Sequence, residues 1–132
     1  DNIRKFEHLG TRPFYIEEAV DKAIDFYDMI GGKRKEERLL YLKNYWMERV
    51  KDIPKVKLHT SFKKEFGCAI GLVSVAGKTP AELDSYLWAN YKIHTVGIVW
   101  ENISGVRVTP NVYTTTKNLD RLVEGITAFA KS

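Results

Sequence analysis

Two places in the chain carry residue types that proteins use to hold anionic groups. In Gly10-Thr11 a threonine hydroxyl lies next to a glycine, and backbone N–H groups beside a glycine can approach a phosphate closely. Arg107 offers a planar guanidinium, which can grip a carboxylate through two parallel hydrogen bonds. Both also suit structural roles, because Gly-Thr pairs are common in turns and a lone arginine usually lies in solvent or in an ion pair.

The other reactive side chains form no site that the sequence alone reveals. Cys68 is the single cysteine, so neither an internal disulfide nor a cysteine zinc cluster can form, and we expect it to begin a strand as a small buried residue. His59 and His94 are isolated, and no spacing of His, Cys and Asp predicts a metal ion. His8 and Arg12 flank the Gly-Thr pair, where we expect only that they lie near its ligand.

The spacing of apolar residues predicts the helices that position these segments. A first helix carries its apolar stripe from Ile16 to Ile30 and ends at Gly31-Gly32, since glycine readily takes the left-handed conformation of a helix C-cap. A second helix is predicted from about Lys35 to Val50. Its buried stripe comprises Leu39, Leu42, Trp46 and Val50.

Cap residues mark the starts of two further helices. Thr79-Pro80-Ala81-Glu82 has the pattern of a capping box with proline as the first helical residue, and this helix is expected to end near Asn90. It should direct Leu83, Tyr86 and Leu87 inward. Thr115 is the predicted N-cap of the last helix. The apolar face of that helix comprises Leu119, Leu122, Val123, Ile126 and Phe129.

Four strand candidates complete the element order. The first two are Val56 to His59 and Ala69 to Val75, and the second two are Thr95 to Trp100 and Val106 to Thr109, joined by a turn over Glu101 to Gly105. Since each pair is joined as a hairpin, neighbouring strands should run antiparallel. The order α-α-β-β-α-β-β-α predicts one α+β domain over residues 1–132, with an antiparallel or mixed sheet and helices packed on one face.

Composition excludes several classes of function. A length of 132 residues suits one domain, and a net charge of +4 is a modest basic excess without a strong cluster, so we expect no nucleic acid partner. The sequence has no apolar run long enough to span a bilayer, and we expect no membrane association. One cysteine fits a reducing compartment, and we expect the protein in the cytoplasm.

Three segments carry a family pattern. Residues 7–12 read E-x-x-G-T-R ahead of a long helix, and residues 23–31 read A-x-x-F-x-x-x-I-G, followed by R-x-x-x-L from Arg38. Residues 105–115 read x-x-R-x-T-x-x-x-Y-T-T ahead of the last helix, close to the family's x-x-R-x-S-x-x-x-Y-N-T. Their order and spacing resemble class V aminotransferases, the group that includes cysteine desulfurases, kynureninases and isopenicillin N epimerase-like proteins. The resemblance covers nearly the whole chain and is strongest for the epimerase-like branch.

This resemblance implies a fold, a cofactor and roles for three residues. The chain would be the C-terminal, fold-type I small domain of a longer pyridoxal-phosphate enzyme acting on an amino acid. Its partners would be its own large domain and a second subunit of a homodimer. In the family the Gly-Thr segment reaches across the dimer interface, which places binding of the cofactor phosphate on Thr11, helped by Gly10. Arg107 would hold the α-carboxylate of the substrate.

Departures from the family pattern limit the types of reaction that we expect. Cysteine desulfurases carry a nucleophilic cysteine shortly before the strand with the substrate arginine, and residues 96–104 contain none, so we expect epimerase, lyase or aminotransferase chemistry. No lysine here lies in the family's lysine motif. The lysine that forms the Schiff base with the cofactor is expected in a large domain before Asp1, so this chain alone should bind no cofactor and be inert.

Two other readings stay open. The chain could be a stand-alone α+β module that binds an acidic ligand or protein partner through its basic surface. It could also be a dimerisation domain in which Thr11 and Arg107 have no ligand.

Overall fold

The structure, a computed structural model, describes residues 2–6, 10, 13 and 15–132. The chain divides into two compact units, residues 1–34 and residues 35–132. Among the described residues of the first unit, a 3-10 turn spans Ile3–Phe6 and helix α1 spans Tyr15–Ile30. Helix α1 confirms the first predicted helix.

Gly31 separates the first two helices. Its φ of +81° is the left-handed conformation that glycine adopts without steric cost, and its N–H donates to the carbonyl of Tyr27 at 3.0 Å. Helix α2 follows at once and spans Gly32–Val50. It therefore begins before the predicted start at Lys35, because a single glycine is enough to break the helix.

Four strands of the described chain form one antiparallel sheet in the order β1-β2-β4-β3. The strands are β1 (Val56–Leu58), β2 (Gly71–Val75), β3 (Val96–Trp100) and β4 (Ile103–Val108). Leu58 pairs with Val73 in the first hairpin, and Ile98 pairs with Gly105 in the second. Both predicted antiparallel pairs are confirmed, and β2 and β4 lie side by side in the middle of the sheet.

Helices α2, α3 (Pro80–Tyr91) and α4 (Thr116–Lys131) pack on one face of the sheet through a shared apolar core. The core includes Leu42, Trp46, Val73, Val75, Leu83, Leu87, Val106, Val108, Leu122 and Ile126. Removing these side chains from water is the main favourable contribution to folding. The predicted α+β class, with helices on one face of an antiparallel sheet, is confirmed. Within the described ranges, no helix is both long and apolar enough to cross a membrane.

The connection between β1 and β2 is longer than the strand prediction allowed. Strand β1 ends at Leu58, which pairs with Val73, and β2 begins at Gly71. The residues between Leu58 and Gly71 therefore belong to neither strand. They form a loop that includes a 3-10 turn over Lys64–Phe66. Cys68 lies in this loop and is exposed, so the expectation of a small buried strand residue is wrong.

The turn between β3 and β4 is shorter than predicted. Trp100 pairs with Ile103, which leaves Glu101 and Asn102 as a two-residue turn in place of the predicted turn over Glu101 to Gly105. Glu101 has a φ of +49°, and a positive φ in such a turn matches the twist of the flanking strands. Residues 103–105 consequently belong to β4.

Both predicted N-caps are confirmed. The hydroxyl of Thr79 accepts from the N–H of Glu82 at 3.2 Å, and the Glu82 carboxylate accepts from the N–H of Thr79 at 2.7 Å. The Thr79 hydroxyl also donates to this carboxylate at 2.7 Å, and the two hydrogen bonds that the carboxylate accepts lower the pKa of Glu82. Thr115 and Asn118 form the same reciprocal pair at the start of α4. The structure thus fixes where α3 and α4 begin on either side of the second hairpin.

The capping box of α3 gives a stability prediction. Thr79→Ala should lower the free energy of unfolding by about 1 kcal/mol, because one backbone N–H of the first turn loses its acceptor. Urea denaturation measures this difference. The matched control is Ser85→Ala, which removes an exposed hydroxyl from the same helix without touching the cap and should leave stability unchanged or slightly higher. Equal losses in the two variants would contradict a capping role for Thr79.

Candidate functional site

The face of the sheet opposite α2, α3 and α4 carries the predicted carboxylate-binding residue. Side chains alternate along a strand, so residues next to the core valines of β2 and β4 point to this second face. We call it the Arg107 face. Its residues are Lys57, Leu72, Ser74, Val96, Ile98, Trp100, Ile103, Gly105 and Arg107.

Arg107 stands in the middle of this face. On β4 it lies opposite Leu72 of β2 on one side and Val96 of β3 on the other. Its neighbours Val106 and Val108 are buried at 0% and 7% exposure, which confirms that they face the core and that Arg107 points the other way. Arg107 is exposed, and among the described residues its guanidinium has no ion-pair partner. A cation without a partner on a fixed strand is suited to bind an anion.

Gly105 lets β4 approach β2 closely beside Arg107. A Cβ added at this position would lie 2.6 Å from the carbonyl oxygen of Val73 and 3.1 Å from its carbonyl carbon. The neighbouring atoms are backbone, so they cannot move aside as a flexible side chain would. Glycine at this position therefore helps to set the spacing of the two central strands, and with it the place of Arg107.

His59 and Ser74 form a hydrogen-bonded pair on the same face. His59 follows β1 directly, its N–H donates to the carbonyl of Leu72 at 2.9 Å, and its Nε2 lies 2.8 Å from the Oγ of Ser74. Burial of the ring lowers the pKa of His59, and the nearby Lys57 ammonium lowers it further. Both effects disfavour the charged form of the imidazole. The sequence reading of His59 as an isolated strand-end residue missed this pair, because Ser74 lies on the neighbouring strand.

The phosphate-binding prediction falls largely on residues that the structure does not describe. Gly10 is described: it is exposed, has a φ of +69°, and an added Cβ would meet no described residue within 4 Å. Thr11, His8 and Arg12 lie outside the described residues. The binding of a phosphate by Gly10 and Thr11 stays a prediction.

Lys43 is a buried cation that the sequence reading missed. It lies on α2 with 0% exposure, and its Nζ donates to the carbonyl of Ser61 at 2.8 Å. Burial lowers the pKa of Lys43, and the thiol of Cys68 acts in the opposite direction. A Cβ at Gly67 would lie only 2.9 Å from this Nζ. Lys43 therefore anchors the loop between β1 and β2. The sequence did carry a signal for this burial, because Lys43 lies between Leu42 and Trp46 of the predicted buried stripe of α2.

Other places that could hold a ligand lie away from Arg107. Two surface pockets of about 540 and 530 Å³ open on the helical side of the sheet, one lined by residues 78–81 and the other by residues 92–95, among others. Within residues 2–6, 10, 13 and 15–132, no group of three or more His, Cys, Asp and Glu residues could hold a metal ion. The Arg107 face is the better candidate for a site, because on it a predicted ligand-binding residue lies near other polar groups, Lys57 and the His59–Ser74 pair.

Comparison with solved structures finds proteins that share this fold. No protein-family model and no curated protein matches the chain. Among solved structures, the chain is similar to alanine–glyoxylate aminotransferase from Nostoc sp., with a TM-score of 0.71 and 20% identity over 90% of this chain and 32% of that one. It is also similar to the cysteine desulfurase CsdA from Escherichia coli, with a TM-score of 0.60 and 14% identity over 74% of this chain and 26% of that one.

These likenesses show the fold. The chain spans about a third of the length of the aminotransferase and about a quarter of the length of the desulfurase. The fold is therefore one that forms part of longer aminotransferase and desulfurase chains. It agrees with the fold-type I small domain expected from the sequence.

The close approach at Gly105 gives a second stability prediction. Gly105→Ala should lower the free energy of unfolding by about 1–3 kcal/mol, because the methyl group overlaps the Val73 carbonyl. Gly97→Ala on β3 is the matched control, since its added Cβ would make only an ordinary contact of 3.4 Å with Pro80. Urea denaturation of both variants checks the difference. A Gly105→Ala protein as stable as Gly97→Ala would show that β2 and β4 do not depend on this glycine.

Proposed function

We propose that the chain is the small domain of a class V, pyridoxal-phosphate-dependent enzyme that acts on an amino acid, and that Arg107 binds the α-carboxylate of the substrate. The observation that carries this proposal is the exposed guanidinium of Arg107, which has no ion-pair partner among the described residues and lies at the centre of a sheet face. The shared fold with an aminotransferase and a desulfurase supports it. The class V assignment and the pyridoxal phosphate cofactor are proposed from the resemblance of the three sequence motifs to that family.

The geometry suits the proposed task of Arg107. A guanidinium can bind both oxygens of a carboxylate at once, which fixes the orientation of the bound amino acid as well as its position. Arg107 is held by strands on both sides, so its backbone is positioned by the sheet rather than by a loop. Fixing the substrate in this way lowers the entropy that must be lost on reaching the transition state.

Gly10 and Thr11 are the residues of this chain that would hold the cofactor phosphate. The left-handed φ of Gly10 fits a backbone that a phosphate can approach closely. The Thr11 hydroxyl would add a donor. When bound, pyridoxal phosphate serves as an electron sink for a carbanion at the substrate α-carbon. We expect this phosphate to belong to the cofactor of the second subunit in a homodimer, as the family resemblance implies.

The proposed reaction is an epimerase, lyase or aminotransferase reaction of the isopenicillin N epimerase-like branch. The E-x-x-G-T-R segment supports this branch, and Tyr113-Thr114-Thr115 before α4 is a mild departure from the family's Y-N-T that keeps a capping hydroxyl. Persulfide chemistry is not proposed, because Cys68 lies in the loop before β2 and the β3–β4 hairpin contains no cysteine. The Schiff-base lysine would belong to a large domain of the same longer protein.

One observation also favours a second candidate, a binding module for an acidic partner. Lys57 and Arg107 both lie on the Arg107 face, and no strand of the described sheet contains an acidic residue. Such a face would attract an acidic protein surface as well as a carboxylate. The colour of the purified full-length protein distinguishes the two candidate functions. An enzyme with its bound cofactor is yellow, and a binding module is colourless.

Kinetics of the full-length protein test the role of Arg107. Arg107→Ala should lower kcat/KM for the amino acid substrate by about 10- to 100-fold, mainly through KM, because about 1.5–3 kcal/mol of charge-assisted hydrogen bonding is lost. Arg107→Lys should recover only part of this, since a lysine keeps the charge but loses the two-pronged geometry. A colourless wild-type protein, or unchanged kcat/KM in Arg107→Ala, would contradict the proposal.

Cofactor retention tests the role of Thr11 separately. In the full-length protein, Thr11→Ala should weaken binding of pyridoxal phosphate by about 10-fold, as expected for one lost hydrogen bond to a charged group. Loss of the yellow colour during dialysis measures it. Arg107→Ala is the matched control and should retain cofactor like the wild type, because its proposed ligand is the substrate. Equal retention of cofactor by the wild type and Thr11→Ala would show that Thr11 does not bind the cofactor phosphate.

A further inference from the structure

The charges of the described sheet are confined to one face. Lys57 on β1 and Arg107 on β4 are the charged residues of its four strands, and both are exposed. Val56 and Leu58, the neighbours of Lys57, pack against the core, so Lys57 points to the Arg107 face. Lys57 has no ion-pair partner among the described residues. The face therefore holds two cations, of which the proposed α-carboxylate would engage one.

The register of the sheet gives the spacing of these cations. Lys57 lies opposite Ser74, and Arg107 lies opposite Leu72, on alternate residues of β2. The two positions are thus two strands apart and displaced by two residues, which corresponds to roughly 10 Å across the sheet and roughly 7 Å along it. Lysine and arginine have long side chains, so both can reach one small ligand between them.

The surface between the two cations has the chemistry of a short dicarboxylic chain. Leu72 is half-buried and lies between Arg107 and His59, where it offers an apolar contact for methylene groups. Beyond it, the His59–Ser74 pair adds hydrogen-bonding groups next to Lys57. From β4 to β1 the face therefore presents a cation, an apolar side chain, and then a hydrogen-bonded polar pair beside a second cation.

We propose that Lys57, together with His59 and Ser74, binds a second carboxylate, so that the preferred substrate is a dicarboxylic amino acid of the aspartate or glutamate kind. This inference rests on the proposed function, because it takes Arg107 as the site of the α-carboxylate. Lys57 is a specificity-determining residue in this account. It distinguishes acidic substrates from their uncharged relatives and takes no part in the chemistry at the α-carbon.

Matched pairs of substrates test the inference in the full-length protein. Aspartate and glutamate are compared with asparagine and glutamine, which have nearly the same shape and lack the second charge. Wild type should favour the acids over the amides in kcat/KM by about 10-fold or more, as expected for one charge-assisted contact. Lys57→Ala should abolish this preference while changing the values for the amides less than about two-fold. Lys57→Arg should restore part of it, and His59→Gln should reduce it.

The control is Lys117→Ala, which removes the same charge from an exposed position on α4, on the other side of the sheet. It should keep the full preference for acids. A wild-type protein that does not distinguish acids from amides would overturn the inference, as would Lys57→Ala lowering kcat/KM equally for both kinds of substrate. The proposed function fails in a different way, through a protein that is colourless or that is indifferent to Arg107→Ala with every amino acid.

Discussion

The two-residue alternation of β2 and β4 decides which side chains enter the core and which form the candidate site. Val73, Val75, Val106 and Val108 must face the helices for the core to form, and this places Arg107 on the opposite face. A slip of one residue would bury the guanidinium and expose the valines. The hydrophobic effect that drives folding therefore also determines where the candidate site lies.

The sequence predicted those parts of the fold that depend on local patterns. The helices follow from apolar spacing, and both N-caps follow from residue types at fixed distances, because a capping box involves only neighbours in the chain. The orientation of Arg107 is also a local property, because residues next to the buried Val106 and Val108 point away from the core. The fold class then followed from the order of the elements.

The missed features depend on contacts between residues that are distant in sequence. The end of β1 and the exposure of Cys68 are set by the register between β1 and β2, which no local pattern specifies. Burial of Lys43 depends on a carbonyl in that loop, and the His59–Ser74 pair depends on two strands meeting. The role of Thr11 rests on the family motif, since Thr11 lies outside the described residues.

A crystal structure of the full-length protein with a bound amino acid would reveal whether the guanidinium of Arg107 binds the α-carboxylate. We expect two nitrogens of Arg107 to lie about 2.7–2.9 Å from the two oxygens of the α-carboxylate. A carboxylate bound elsewhere, with Arg107 paired to an acidic residue of the protein, would show that Arg107 does not have this role.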